Sequence, residues 1–175
     1  MKKAMLRIII TLLTVSVMVM GSTVVAEARH LMGFDYYGKH YYKVVRTSSV
    51  HYNSWVGMAA AIPQDYRFFL GKKEYSAHPV VITSAREQAF VQELIQSYGP
   101  ALIGASQAPG ISAVDAGWQW ITGEEWAYTN WAASQPDDGT SGEVNLLMNL
   151  DGTWSDVTFA ASGAMCFVVE CEIAG

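Results

Sequence analysis

Cysteine is scarce: among 175 residues only Cys166 and Cys171 carry a thiol. Five residues apart in an expected strand, they would fall on opposite faces, about 16 Å apart, so a bridge would need a bulge or bend. Two unpaired buried thiols are the expectation, and a small disulfide-stapled scaffold is excluded. Charge is also sparse, at 15% of residues, with 11 Lys+Arg against 16 Asp+Glu and a formal net charge of -5. That sign argues against a partner rich in phosphate, so no nucleic-acid binding is expected. The only long apolar run, residues 8–20, is 13 residues, short of the roughly 20 that cross a bilayer. No repeat at a solenoid period and no Pro/Gly/Ser linker divides the chain. The four histidines, at 30, 40, 51 and 78, lack metal-ligand spacing, and there is no Gly-x-Ser-x-Gly elbow or Gly-rich phosphate loop. Glu124 and Glu125 are adjacent, so in a strand they point to opposite faces and cannot flank one glycosidic bond. An enzyme is not expected.

What is present is a core: hydrophobic residues make up 51% of the chain, with six Trp and nine Tyr. Such rings supply core volume and flat, partly polar binding surfaces. Lys2, Lys3 and Arg7 precede the apolar run, and small residues at Val24 and Ala26 follow it. This is the layout of a secretory signal, residues 1–26, cut after Ala26. Its removal takes away three basic residues and leaves 8 basic against 16 acidic, a formal -8. The product is expected to be secreted or periplasmic, with no membrane span after cleavage.

Tyr41 to Arg46 reads as a strand after a turn at Gly38. Asn53 or Ser54 caps a short helix with Trp55, Met58, Ala59 and Ile62 on one side, stopped by Pro63. Residues 64–78 show no period and read as a loop, and Val80 to Ile82 as a short buried strand. Ser84 with Glu87 forms a capping box, and Phe90, Val91, Leu94, Ile95 and Tyr98 repeat at helical spacing until Gly99-Pro100. Strand-like pieces come after it at 102–105, 118–120, 146–148 and 165–172. Two helices with short strands make the chain α+β.

Oxygen ligands concentrate in Gln135-Pro136-Asp137-Asp138, Glu143 and Trp154-Ser155-Asp156, read as two loops. Asp137, Glu143 and Asp156 offer carboxylates, Gln135 an amide carbonyl and Ser155 a hydroxyl, a set suited to calcium. Zinc would call for His or Cys. A cis Gln135–Pro136 bond would turn the flanking side chains to one side.

These residues, with Gly38-Lys39-His40-Tyr41-Tyr42, Ile82-Thr83-Ser84 with Glu87 and Phe90-Val91, Ile103-Gly104-Ala105, Trp118-Gln119-Trp120-Ile121-Thr122-Gly123-Glu124, Tyr128-Thr129-Asn130-Trp131 and Phe167-Val168-Val169-Glu170, resemble the C-type lectin-like domain. The resemblance spans about Phe34 to Glu172, so the domain is set at 34–175. Gln135 to Glu143 is eight residues and Glu143 to Ser155 twelve, as in the family's sugar-binding calcium site. The resemblance implies an α+β C-type lectin-like fold, with two helices, short antiparallel strands and a long calcium- and ligand-binding loop. It implies that Gln135, Asp137, Glu143, Ser155 and Asp156 hold calcium and ligand, and that the order Gln-Pro-Asp favours a galactose-type sugar.

Three departures accompany it. Ser155 stands where Asn is usual, the turn Gly139-Thr140-Ser141-Gly142 lacks a stacking aromatic, and Asn145 and Val169 stand where cysteines are common. The implied function is calcium-dependent carbohydrate binding, with a calcium-independent extracellular protein interaction on the same fold as the alternative. A shallow site makes several copies useful, as a homo-oligomer or against clustered glycan. The tryptophans at 118, 120, 131 and 154 are expected to pack rather than to form sugar platforms.

Overall fold

The structure, a computed structural model, describes residues 35–47, 54–66, 68–70, 73–160 and 163–173. The expected signal at 1–26 and the domain start at Phe34 lie outside the described residues. The chain divides into two units, residues 1–36 and 37–175, and the second carries the fold. In chain order the elements are β1 (Asp35–Tyr37), β2 (His40–Arg46), α1 (Trp55–Asp65), β3 (Phe68–Leu70), β4 (Lys73–Pro79), α2 (Ala85–Ile95), β5 (Ala101–Gln107), β6 (Trp118–Trp120), β7 (Asn145–Met148), β8 (Trp154–Val157) and β9 (Cys166–Ile173).

β9 is the hub of the sheet. On one edge it pairs antiparallel with β2, from Tyr41 opposite Cys171 to Arg46 opposite Cys166. Its other edge is shared: β4 runs antiparallel along residues 169–173, and β5 runs parallel, with Ala101 beside Cys166. The sheet continues antiparallel from β5 to β7 and β8, while β6 pairs with the end of β5. The strands are therefore antiparallel, as expected, except for the β5–β9 pair.

α2 is the more regular helix. Ser84 caps it by accepting from the Glu87 N–H, and Val91 and Ile95 enter a core with Val80, Ile82, Ile103, Leu146, Met148 and Trp154. The Glu87 carboxylate reaches back to the Thr83 N–H at 3.0 Å, one residue before the partner that a capping box would use. Gly104 lets β5 approach the preceding segment closely. A Cβ there would lie 2.5 Å from the Pro79 carbonyl oxygen, where the Gly104 N–H instead donates to Val80 O at 2.7 Å.

Three expectations need correcting. Pro63 does not stop α1, which runs two residues further to Asp65. Its missing N–H falls in the last turn, where the helix loses a single bond, and Tyr66 N still donates to Ile62 O. Residues 64–78 are not a loop, because they include the β3–β4 hairpin. The period-two signal was present in β4, where Tyr75, Ala77 and Pro79 are buried and Glu74, Ser76 and His78 half-buried. Val80 to Ile82 is fully buried but lies just beyond β4, tied by Val80 N to Val168 O at 2.9 Å. Cys166 and Cys171 are free and buried, and burial pushes both thiols up to about 12. No helix among the described residues is long and apolar enough to cross a membrane.

Candidate functional site

Between β6 and β7 the chain makes a long excursion, residues 121–144, with little regular structure. An irregular segment of this length needs anchors, because its backbone groups and apolar rings must find partners. Its start is fixed by Ile121 N donating to Gly104 O at 2.8 Å. Its middle is clamped to β8: Trp154 N donates to Asn130 O at 2.7 Å, and Ala132 N to Trp154 O at 2.8 Å. Around that clamp the rings of Trp126, Tyr128 and Trp131 pack at 5.7 to 6.1 Å from Trp154. Trp118, Trp120 and Trp154 are buried and Trp131 is half-buried, so all four pack as expected.

The clamp presents the oxygen-rich turn to the end of β8. The Gln135–Pro136 peptide is cis, as the sequence suggested. The Gln135 amide oxygen accepts from Asp156 N at 3.0 Å. In return the Asp156 carboxylate accepts from Asp137 N at 3.0 Å and Asp138 N at 2.8 Å. The carboxylates of Asp137, Glu143 and Asp156 have oxygens within 4.8 Å of one another. Asp137 is exposed, Glu143 half-buried and Asp156 buried. Asp156 lies in strand β8 rather than in a loop, opposite Leu146, so the innermost carboxylate is set by a strand.

This donor set fits calcium. All of its atoms are hard oxygens, and three carboxylates this close favour a cation between them. Ser155 is placed differently. Neighbouring strand residues project to opposite faces, and its hydroxyl accepts from Asn149 Nδ2 at 3.1 Å.

Two roles escaped the sequence reading. One Asp138 carboxylate oxygen accepts from Gly142 N at 2.8 Å and Glu143 N at 3.0 Å, closing the turn that delivers Glu143. An Asp opening a Gly-rich stretch is a turn signal and could have revealed this. Asn149, which holds Ser155, carries no such signal.

A second cluster lies on other elements. His40 Nδ1 contacts the Glu170 carboxylate, and Tyr42 OH lies 2.8 Å from Glu87 and 3.1 Å from Glu170. Glu170 also accepts from Val81 N. The hydrogen bond with Glu170 raises the His40 imidazole above its ordinary value. Burial raises the Glu87 carboxyl and holds the Tyr42 phenol well above its usual range.

The C-type lectin CEL-I from Cucumaria echinata superposes with a TM-score of 0.62 at 18% identity, covering 82% of this chain and 97% of that one. The domain has the C-type lectin-like fold. The cow C-type carbohydrate-recognition domain of CD23 shares this C-type lectin-like fold, with a TM-score of 0.61, 20% identity, and 82% and 95% coverage. So does a calcium-independent type II antifreeze protein, with a TM-score of 0.60, 19% identity, and 82% and 94% coverage. Human C-type lectin domain family 10 member A is 35% identical over 88 residues, or 46% of this chain and 26% of that protein. Human asialoglycoprotein receptor 2 is 30% identical over 88 residues, with the same coverage. The chain thus spans 26 to 28% of the length of these and a rat relative, asialoglycoprotein receptor 1. No protein-family model matches the chain.

Proposed function

We propose that this domain is an exported lectin that binds carbohydrate through one calcium ion held by Gln135, Asp137, Glu143 and Asp156. The observation behind this reading is the meeting of three carboxylates, two from the long loop and one from β8, within 4.8 Å, beside the Gln135 amide. Ser155 enters as the weakest contributor, since Asn149 already engages its hydroxyl and leaves it one further lone pair. When bound, calcium would accept neighbouring sugar hydroxyls, while the amide donor of Gln135 and the carboxylate acceptor of Asp137 would bond to the same hydroxyls. By resemblance to the C-type lectin-like domain, that order of donor and acceptor points to a galactose-type sugar. Two relatives named as asialoglycoprotein receptors support a glycan ligand.

The test is thermal unfolding with calcium and with chelator, followed by retention on a galactose-bearing resin. A ligand that binds only the native state, at about a hundred times its Kd, adds ~2.7 kcal/mol. In a chain of this size that is a rise of about 5–10 °C. Asp137→Ala should abolish both the rise and the retention. No shift at millimolar calcium would overturn the metal site.

A second reading has its own observation. Asp156 already accepts two backbone N–H groups, so the chain itself closes the turn. A calcium-independent interaction with an extracellular protein on the same surface would then persist in chelator, and loss of that binding in chelator would exclude it.

A further inference from the structure

A row of polar side chains on α2 reaches Trp154 and the β7–β8 connection. Gln88, Gln92 and Gln96 are spaced four apart and so share one face of the helical path. Gln96 Nε2 donates to Leu150 O at 2.7 Å and Gln92 Nε2 to the same oxygen at 3.3 Å. Gln88 differs from the other two. It is only 4% exposed, its Nε2 donates to Gly152 O at 2.7 Å, and its Oε1 accepts from the Trp154 indole N–H at 2.9 Å. Gly152 has φ +86°, and a Cβ there would lie 2.5 Å from Gln92 Oε1, so the bare α-carbon is what lets these side chains close on the turn. Asn130 Nδ2 reaches the same Gly152 oxygen from the long loop at 2.8 Å.

The structure assigns Gln88 the role of a positioning residue for the calcium site, holding the Trp154 indole and Gly152 so that the long loop and β8 meet in register. The inference rests on the calcium reading. The path is continuous: Gln88 fixes Trp154, whose backbone exchanges hydrogen bonds with Asn130 and Ala132. Ala132 O accepts from Gln135 N at 3.0 Å, and Gln135 Oε1 accepts from Asp156 N. Trp154 and Asp156 are alternate residues of β8, both buried, so a shift of the strand at Trp154 would displace the carboxylate. Neither Gln88 atom that makes these bonds is offered to the ion, so its effect must pass through Trp154 and the loop.

The experiment compares the parent with Gln88→Met and Gln96→Ala by calorimetric calcium titration, and by amide exchange at Ala132 and Asp156 in chelator. Gln88→Met keeps the side-chain volume and removes both bonds. It should weaken calcium binding about 10–100-fold, as loss of an outer support to a metal site does, and speed exchange at both amides. Gln96→Ala removes a bond to the same turn that does not reach Trp154 and should change neither. Unchanged calcium affinity in Gln88→Met overturns the assignment. If that variant fails to fold, Asn130→Ala cuts the link from the loop side and must give the same weakening, and unchanged affinity there overturns it. If the parent itself takes up no calcium, the calcium reading fails separately. The exchange data then decide the role of Gln88: faster exchange supports it, and unchanged protection overturns it.

Discussion

Asp137 and Asp156 are assigned to the same ion, yet the chain depends on them differently. Asp156 is buried, and its two carboxylate oxygens each accept a backbone N–H from the facing turn. Removing it strands two donors in a partly closed site, and hydrogen bonds to a charged acceptor contribute about 1.5–3 kcal/mol each. Asp137 is exposed, and among the described residues its carboxylate accepts only from Gly139 N, at 3.1 Å. Because both bonds are only part-buried and their donors can regain water, Asp156→Ala in chelator should lose somewhat less than two full bonds, about 2–4 kcal/mol by urea unfolding, while Asp137→Ala should lose about 0.5 kcal/mol. Both should lose calcium binding. Equal stability of the two variants in chelator would show that the backbone bonds to Asp156 do not hold the turn. Ser155 illustrates what residue type alone leaves out. Its hydroxyl suits a hard cation, but which neighbour takes it depends on the strand that carries it, and here that neighbour is Asn149.

The cluster of His40, Tyr42, Glu87 and Glu170 joins three elements, β2, α2 and β9, and binds protons by construction. A phenol has one proton, so Tyr42 can donate to only one of its two carboxylate neighbours at a time. The other contact is relieved when Glu87 is a carboxylic acid or His40 an imidazolium. Both groups shift in the direction that favours this. The hydrogen bond to Glu170 raises His40, with help from Glu170 and Glu172 charge, and burial leads the rise at Glu87. A raised folded value means that the stabilisation is complete below the unfolded value and is lost as pH rises through the folded one. For Glu87 that window opens above the ordinary carboxylate range, and for His40 above about 6.5. Both slopes have the same sign, so the unfolding midpoint in chelator should fall by a few degrees as pH rises from mildly acidic to mildly alkaline. His40→Gln should flatten the part of this slope above the ordinary imidazole value. His78 Nε2 also faces Glu172, at 3.6 Å, so the slope should be measured in His78→Gln as well. A midpoint that stays level or rises over the same range in the parent would refute the account.

Across the whole molecule, the sequence was legible wherever a feature obeys a short-range rule. The apolar period of α2, its Ser84 cap and the alternating tryptophans of β6 each depend on neighbours in the chain, and all three stand in the structure. The β3–β4 hairpin was missed because the alternation in β4 is carried by Tyr75, Ala77 and Pro79, small or turn-prone residues beside one aromatic, and the strand is set by pairing with β9, ninety or more positions away. The glutamine row of α2 was missed because a reading of hydrophobic period looks past polar residues at the same spacing. The three carboxylates were picked out because their spacing resembles a known site, and the structure brings them together, while Asp138 acts through backbone groups and Gln88 through a backbone carbonyl and the Trp154 indole, partners whose positions no local rule supplies. The same geometry bears on how the domain would work. Of the proposed ligands, Asp137 is exposed and Glu143 half-buried, and the adjoining turn has no aromatic ring to cover a sugar, so one copy would make few contacts and should bind weakly. Affinity would then come from number. Coupling several domains to one scaffold makes later binding events intramolecular and can raise avidity by about 10²–10⁴ where the spacing permits. A monomeric domain and a tetravalent form on streptavidin should thus differ by at least ~10² in apparent affinity on a dense galactose-type surface in calcium. On a sparse surface they should differ little, and chelator should release both. Equal retention of the two forms on the dense surface would show that a single site suffices, and that the contacts of the long loop extend well beyond the calcium shell.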